Sequence, residues 1–165
     1  MAIDPNEALR RADSEFSSFL ERVTEGKWSE KSVCEGWAIG DLVDHVIGGN
    51  VFTTRVLEGA TVDQAMESAI NAAIAGQQDR KRAYKTSMAE ALAKLSEPGI
   101  EDRTCHHIAG EVSGEVVRGL RVVDVSLHSW DLARSLGLDD ELDSDLVESC
   151  WAVVTDRIEA DGESS

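Results

Sequence analysis

The chain has 165 residues, enough for one domain with a hydrophobic core. Hydrophobic residues make up 42% and charged residues 29%, a balance typical of globular proteins and unlike that of disordered chains. The 16 basic residues stand against 32 acidic ones, and the formal net charge of −16 repels phosphate backbones and anionic lipids. Neither nucleic acid nor a membrane surface is therefore an expected partner.

Cysteine content and hydropathy indicate the compartment. The three cysteines are odd in number and show no CxxC spacing, and the N-terminal residues lack the pattern of a signal peptide. No apolar run approaches the roughly 18–20 residues that a membrane-spanning helix needs. The expectation is a soluble protein of the reducing cytoplasm.

The first predicted helix begins at Asp4, a good N-cap, with Pro5 at the first helical position. Glu7, three residues after the cap, suits a capping box, and Gly26 suits the C-terminal end. Apolar residues recur at helical spacing in between. The pattern predicts one helix over this whole stretch.

Three more helices are predicted in the middle of the chain. One spans about residues 40–59, although the pair Gly48 and Gly49 weakens it, since each glycine costs up to about 1 kcal/mol against alanine. Close approach of another backbone, or of a ligand, would explain this pair. Residues 61–95 are alanine-rich and helical, with a break near Gly76.

Residues 96–114 are loop-like, with room for a short hairpin. A long helix then starts at Ser113 or Gly114 and ends at Gly137. A last helix is predicted over about residues 144–158.

Long amphipathic helices with almost no strand pattern predict an all-α fold, a four-helix bundle with an additional helix. Residues 1–160 are expected to form this single domain, and residues 161–165 a polar tail.

The long helix carries an unusual pair, Asp124 and His128. Residues four apart lie on one helix face, so the two side chains can converge on one point. The apolar residues Leu120, Val123, Leu127 and Leu136 lie close to the same side, so the pair is expected at the edge of the core-facing surface or inside it. Burying a carboxylate requires a partner. This spacing alone is explained by an ordinary hydrogen bond within the helix.

A second histidine, His45, lies among apolar residues of the second helix. A core histidine bonded to a backbone carbonyl is one explanation. Helix bundles, however, build metal sites from inward side chains on facing helices. Two imidazoles and one carboxylate suit a divalent ion such as zinc, with positions left open as in catalytic sites.

Two segments, CEGWAIGDLVDHV and RVVDVSLHSWDLARSLG, together resemble an actinobacterial family. This family is related to the metal-binding domain of mycothiol-dependent maleylpyruvate isomerase, within the DinB-like (DinB/YfiT) superfamily of metal-binding four-helix bundles. The resemblance implies three metal ligands, which by position are His45, Asp124 and His128. Several relatives have glutamate where this chain has Asp124, whose side chain is shorter.

The same resemblance implies a function. The metal would be zinc, with nickel or another transition metal as alternatives, and mycothiol would be the thiol cosubstrate. The ion would lower the pKa of the thiol and hold the thiolate beside an electrophile, for isomerisation or S-transfer. Two alternatives stay open: a non-catalytic metal-binding or sensing module, dimeric through its bundle faces, and a helical interaction domain in which the three residues form a polar network without metal.

Three other features have open interpretations. Asp131, three residues after His128, is either an acceptor that orients an imidazole or a partner of nearby backbone. Cys34 would suit a nucleophile, but no base is predictable beside it. The cluster Cys105–His107 looks metal-capable, but adjacent residues of an extended segment point to alternating sides, which favours an ordinary loop.

Overall fold

The computed structural model describes residues 3–163, which form six helices and one hairpin. The helices are α1 Pro5–Leu20, α2 Ile39–Leu57, α3 Val62–Gly76, α4 Arg80–Leu95, α5 Gly114–Leu136 and α6 Ser144–Glu163. Strands β1 Thr104–His107 and β2 Gly110–Ser113 pair antiparallel, with Thr104 opposite Ser113.

Four of the helices, α1, α2, α4 and α5, pack as a bundle, with α3 along α2 and with α6 against α5 and α1. The predicted all-α bundle is thus confirmed, with two flanking helices and the short hairpin between α4 and α5. The largest fully buried side chains lie between the helices and include Leu9, Phe16, Leu42, Tyr84 and Leu132. Among the described residues, no helix is both long and apolar enough to cross a bilayer.

The start of α1 is as predicted, except for the role of Glu7. Asp4 Oδ1 accepts the backbone N–H groups of Asn6 and Glu7, at 3.0 and 3.1 Å. The Glu7 carboxylate does not close a capping box, because it accepts instead from the guanidinium groups of Arg10 and Arg11.

The predicted end of α1 at Gly26 is wrong. The helix ends at Leu20, and the N–H groups of Arg22 and Val23 then bond to carbonyls three residues earlier. This tighter turn brings Val23 into the core, with 2% of its surface exposed. Gly26 belongs instead to a separate 3₁₀ turn, residues 25–27.

The two glycines in the middle of α2 do mark close approaches. A Cβ at Gly48 would lie 3.3 Å from the backbone oxygen of Ala69 in α3. A Cβ at Gly49 would lie 1.9 Å from Nη1 of Arg121 in α5. Alanine-sized side chains would therefore press on α3 at one position and overlap a guanidinium at the other.

The predicted ends of α5 are confirmed, whereas α6 is longer than predicted. Ser113 Oγ accepts the N–H of Val116 at 3.3 Å, and Gly137 has a φ of 66° in the left-handed region. Helix α6 continues past Ile158 to Glu163, into the predicted polar tail. Residues 164–165 of that tail lie outside the described residues.

Candidate metal centre

The fold brings together the three residues predicted as metal ligands. Asp124 Oδ1 lies 3.4 Å from His45 Nε2 and 3.7 Å from His128 Nε2. The three potential ligand atoms all lie within 4.8 Å of one another. Asp124 and His128 stand one turn apart on α5, and the packing of α2 against α5 supplies His45.

These separations fit a transition metal ion. Two ligand atoms at about 2.0–2.1 Å from a tetrahedral zinc ion are about 3.3–3.4 Å apart. The two distances from Asp124 Oδ1, 3.4 and 3.7 Å, are close to that value, so the shorter aspartate reaches both histidines. Imidazole nitrogens and a carboxylate oxygen are also a donor set that zinc and its neighbours prefer.

A buried arginine holds the other oxygen of Asp124. The Arg121 side chain is only 4% exposed, and its Nη2 lies 3.0 Å from Asp124 Oδ2 as an ion pair without hydrogen-bond alignment. Burial opposes ionisation of Asp124, but the Arg121 charge and the contacts with His45 and His128 outweigh it and hold the Asp124 pKa well below its usual range. The carboxylate is thus ionised at neutral pH. Sequence reasoning missed Arg121, although its i, i+3 spacing to Asp124 was a usable signal.

Asp131 and Cys34 stand behind His128. Asp131 Oδ2 lies 3.0 Å from His128 Nδ1 and accepts the Cys34 S–H at 3.3 Å. Since an ionised carboxylate only accepts, Nδ1 carries the hydrogen in this contact, which leaves the lone pair of Nε2 free to bind a metal ion on the Asp124 side. Asp131 therefore orients an imidazole, the first of its two predicted roles.

Cys34 is a hydrogen-bond donor and not an activated nucleophile. Burial, together with the hydrogen bond to Asp131, raises the pKa of this thiol to about 11. Cys34, His128 and Asp131 also form a second group whose potential ligand atoms lie within 4.8 Å of one another. Because Cys34 and His128 both bond to the same carboxylate oxygen of Asp131, this group supports the position of the His128 ring.

One side of the centre is covered and the other is open. The Trp37 ring centroid lies 5.0 Å from that of His45 and 6.1 Å from that of His128, and the two imidazoles meet edge-on at 4.8 Å. The His128 side chain is 16% exposed, whereas that of His45 is 42% exposed. The alternative of a core histidine at position 45 is therefore wrong.

The Cys105–His107 cluster does not form a metal site within the described part of the chain. Cys105 is buried, whereas His106 is exposed with its Nδ1 3.5 Å from Glu111 Oε1. His107 is half-buried and packs edge-on against Phe52. The predicted alternation of these side chains is thus confirmed.

A cavity of about 810 Å³ adjoins the centre and shares His45, Asp124 and Arg121 with it. Leu120, Val123 and Leu127, which were expected to face the core beside Asp124, line this cavity instead, and Leu127 is 56% exposed. Leu136, the fourth residue of the predicted stripe, packs against the core. Helices α2, α3 and α5 and the hairpin together surround this space. A cavity beside the open side of the centre gives a small molecule access to it.

Known proteins show the same sequence pattern and fold. Residues 9–133 match the family described as Mycothiol maleylpyruvate isomerase N-terminal domain. Two uncharacterised proteins, from two strains of Mycobacterium tuberculosis, are each 32% identical over 144 residues, which cover 87% of this chain and 74% of theirs.

Solved structures extend the likeness to the fold. Crystal structures of the mycothiol-dependent maleylpyruvate isomerase, and of a histidine-to-alanine mutant of it, are similar with a TM-score of 0.71 at 16% sequence identity. The similarity covers 88% of this chain but 65% of the isomerase, so this chain spans about two thirds of the length of that protein.

Proposed function

This chain belongs to the mycothiol maleylpyruvate isomerase N-terminal domain family, and we propose that it binds a divalent transition metal ion, zinc first, through His45, Asp124 and His128. The proposal extends to the activation of a small-molecule thiol, mycothiol, toward isomerisation or transfer of its sulfur to an electrophile. The observation that carries it is the convergence of three donor atoms, from two helices, within 4.8 Å beside an open cavity. When bound, such an ion supplies Lewis-acid chemistry that lowers the pKa of a thiol ligand.

The protein's own residues prepare the centre for this role. Arg121 keeps Asp124 ionised, and Asp131 fixes the His128 ring so that the lone pair of Nε2 is free to bind the metal ion. The exposed edge of His45 leaves one side of the centre accessible from the cavity. Catalytic zinc sites have three protein ligands and one accessible coordination position, whereas structural zinc sites have four protein ligands.

The cytoplasm suits this chemistry. Cys34, Cys105 and Cys150 are all free thiols, and a thiol cosubstrate also stays reduced in that compartment. The partners we propose in this compartment are a low-molecular-weight thiol and a small electrophile.

Metal binding is tested with matched histidine variants. We expect wild type to retain one equivalent of zinc after dialysis and H45A and H128A to bind at least about 100-fold more weakly, since even supporting residues change metal affinity 10–100-fold. H106A is the control, because His106 is exposed on the hairpin away from the centre. Elemental analysis and calorimetric titration measure both quantities. Equal zinc uptake by all four proteins would contradict the proposal.

Catalysis is tested separately with mycothiol and 1-chloro-2,4-dinitrobenzene, whose thioether product absorbs near-ultraviolet light. The zinc-loaded protein should form product faster than the same concentration of free zinc ion, and H128A should not. If metal binds but the rate equals that of the free ion, the protein is a metal-binding or sensing module and not an enzyme.

A further inference from the structure

The cavity beside the metal centre has the size of a small-molecule site. Its volume of about 810 Å³ lies in the range of known ligand pockets, roughly 300–1,000 Å³. Helices α2, α3 and α5 and the hairpin line it, and the side chains of His45 and Asp124 stand at one end. A ligand in the cavity would therefore extend from the metal centre toward α3 and the hairpin.

The cavity wall is predominantly apolar. Four of its large side chains are unusually exposed: Met66 at 38%, Ile70 at 52%, Leu127 at 56% and Ile108 at 66%. They come from three separate elements but surround the same space. Exposed apolar side chains grouped around a concavity mark a binding surface, because an occupant would remove all of them from water together.

The charges around the cavity do not favour an anion. Among the described residues, Arg121 is the one arginine or lysine that lines the cavity. Its side chain is 4% exposed and already paired with Asp124. The other charged groups of the wall, Asp41 and Asp44, are acidic, and Asp44 is itself neutralised by two contacts of 2.8 Å from Arg80. A carboxylate placed against the apolar wall would lose its hydration without gaining a cation.

The hairpin end of the cavity adds a polar group without charge. Burial, and then the charge of Arg157, lower the pKa of His107 below its usual value, so its imidazole is neutral at physiological pH. Its ring lies edge-on to Phe52, with the centroids 5.3 Å apart. This wall can pack against an apolar or weakly polar body, and the Arg157 guanidinium beside it already donates to the carbonyl oxygen of Ala109 at 3.1 Å.

We infer that the cavity selects a neutral, predominantly apolar small molecule, and that this molecule is the electrophile, with its reactive end at Asp124 and its body against α3 and the hairpin. The role of the ligand as electrophile rests on the proposed function. The selection for a neutral body is a property of the cavity alone, so it is tested without catalysis.

The test compares methyl 2-naphthoate with 2-naphthoate, two probes that share the naphthyl body and differ in one charge and one methyl group. Calorimetry or equilibrium dialysis uses the purified full chain, with zinc and again after chelation. The chelated chain should bind the ester at least about tenfold more tightly than the carboxylate, since burial of an unpaired charge is costly. Ester binding should be unchanged by chelation, and the ester should inhibit the thiol reaction competitively with the electrophile.

Two variants on one helix locate the site. I70R places a cation on the cavity wall and should narrow or reverse the preference for the ester by at least about tenfold. I74R is the matched control, because Ile74 lies one turn further along α3, is 60% exposed, and does not line the cavity. It should leave the preference unchanged.

Specific outcomes would overturn the inference. Equal or tighter binding of 2-naphthoate to the chelated chain would contradict selection by charge, and equal effects of I70R and I74R would place the probe elsewhere. A homodimer in sedimentation that excludes the ester would identify the exposed apolar rim as a subunit interface. Loss of zinc uptake with the ester preference intact would refute the proposed function and the electrophile role but not the selection by the cavity. Zinc uptake without the ester preference would refute the selection by the cavity, and with it the electrophile role, but not the proposed function.

Discussion

Alanine at position 49 should destabilise this protein even though alanine is the better helix former. The new Cβ would lie 1.9 Å from Arg121 Nη1 and 3.0 Å from its Cζ, whereas ordinary contacts begin at 3.4 Å. The guanidinium must therefore retreat by about 1.5 Å. That movement separates it from Asp124 Oδ2, to which its Nη2 is now 3.0 Å distant.

The magnitude follows from two opposing contributions. Replacing glycine by alanine inside a helix stabilises by about 1 kcal/mol. Breaking a buried ion pair costs about 3–5 kcal/mol, but Asp124 is 34% exposed and water screens it, so we take about 2–3 kcal/mol here. The net expectation for G49A is a loss of about 1–2 kcal/mol in the free energy of unfolding. In a chain of this size that lowers Tm by roughly 3–6 °C.

Urea unfolding followed by circular dichroism measures this change, and a second background tests its cause. In R121M the side chain ends before the position of Nη1, so G49A should there stabilise by about 0.5–1 kcal/mol. G48A is the matched control, because its Cβ would meet the oxygen of Ala69 at 3.3 Å and needs only a slight adjustment. The reasoning is refuted if G49A stabilises wild type, or if it costs as much in R121M.

Three further predictions concern the thiol, the ion pair and the end of α5. The rate at which iodoacetamide alkylates Cys34, measured by peptide mass spectrometry, should keep rising with pH up to about 11, because the raised pKa keeps most of the thiol protonated below that value. A rate that already levels off near 9.0, the ordinary pKa of a thiol, would contradict this. D44A should lower the free energy of unfolding in urea by about 2–4 kcal/mol, since it leaves Arg80, whose side chain is 15% exposed, without its carboxylate partner. Combining D44A with R80M should recover at least half of this loss. If the double variant recovers none of it, the ion pair is not the cause. G137A should lower the free energy of unfolding by about 1 kcal/mol, because alanine is strained at a φ of 66°. G137N should lower it by less. An unchanged Tm in G137A would count against strain at this position.

Local sequence signals determined where most helices begin and end. Asp4 and Ser113 cap their helices through their own side-chain oxygens, and Gly137 ends α5 because it adopts a left-handed conformation. Each signal acts over three or four residues, so it can be read without knowing the fold. The prediction failed where tertiary packing outweighed the local signal. Gly26 suits a helix end, but α1 stops at Leu20, and the tighter turn that follows places Val23 in the core.

The candidate ligands lie between these two cases. The four-residue spacing of Asp124 and His128 places both on one face of α5 in any helix. His45 is 79 residues before Asp124. Its place beside them was predictable only from resemblance to a family, because periodicity says nothing about which helices meet. The packing of α2 on α5 turns a common pair into a group of three donors.

What surrounds the ligands was decided by the tertiary structure alone. Cys34 reaches Asp131 across 97 positions of the chain, and Arg121 reaches Asp124 in an orientation that depends on the missing side chain of Gly49. The cavity likewise forms only where α2, α3, α5 and the hairpin come together. Composition, spacing and caps act along the chain, whereas the contact of His45 with Asp124, the hydrogen bond from Cys34 to Asp131 and the shape of the cavity depend on groups distant in sequence that folding brings together.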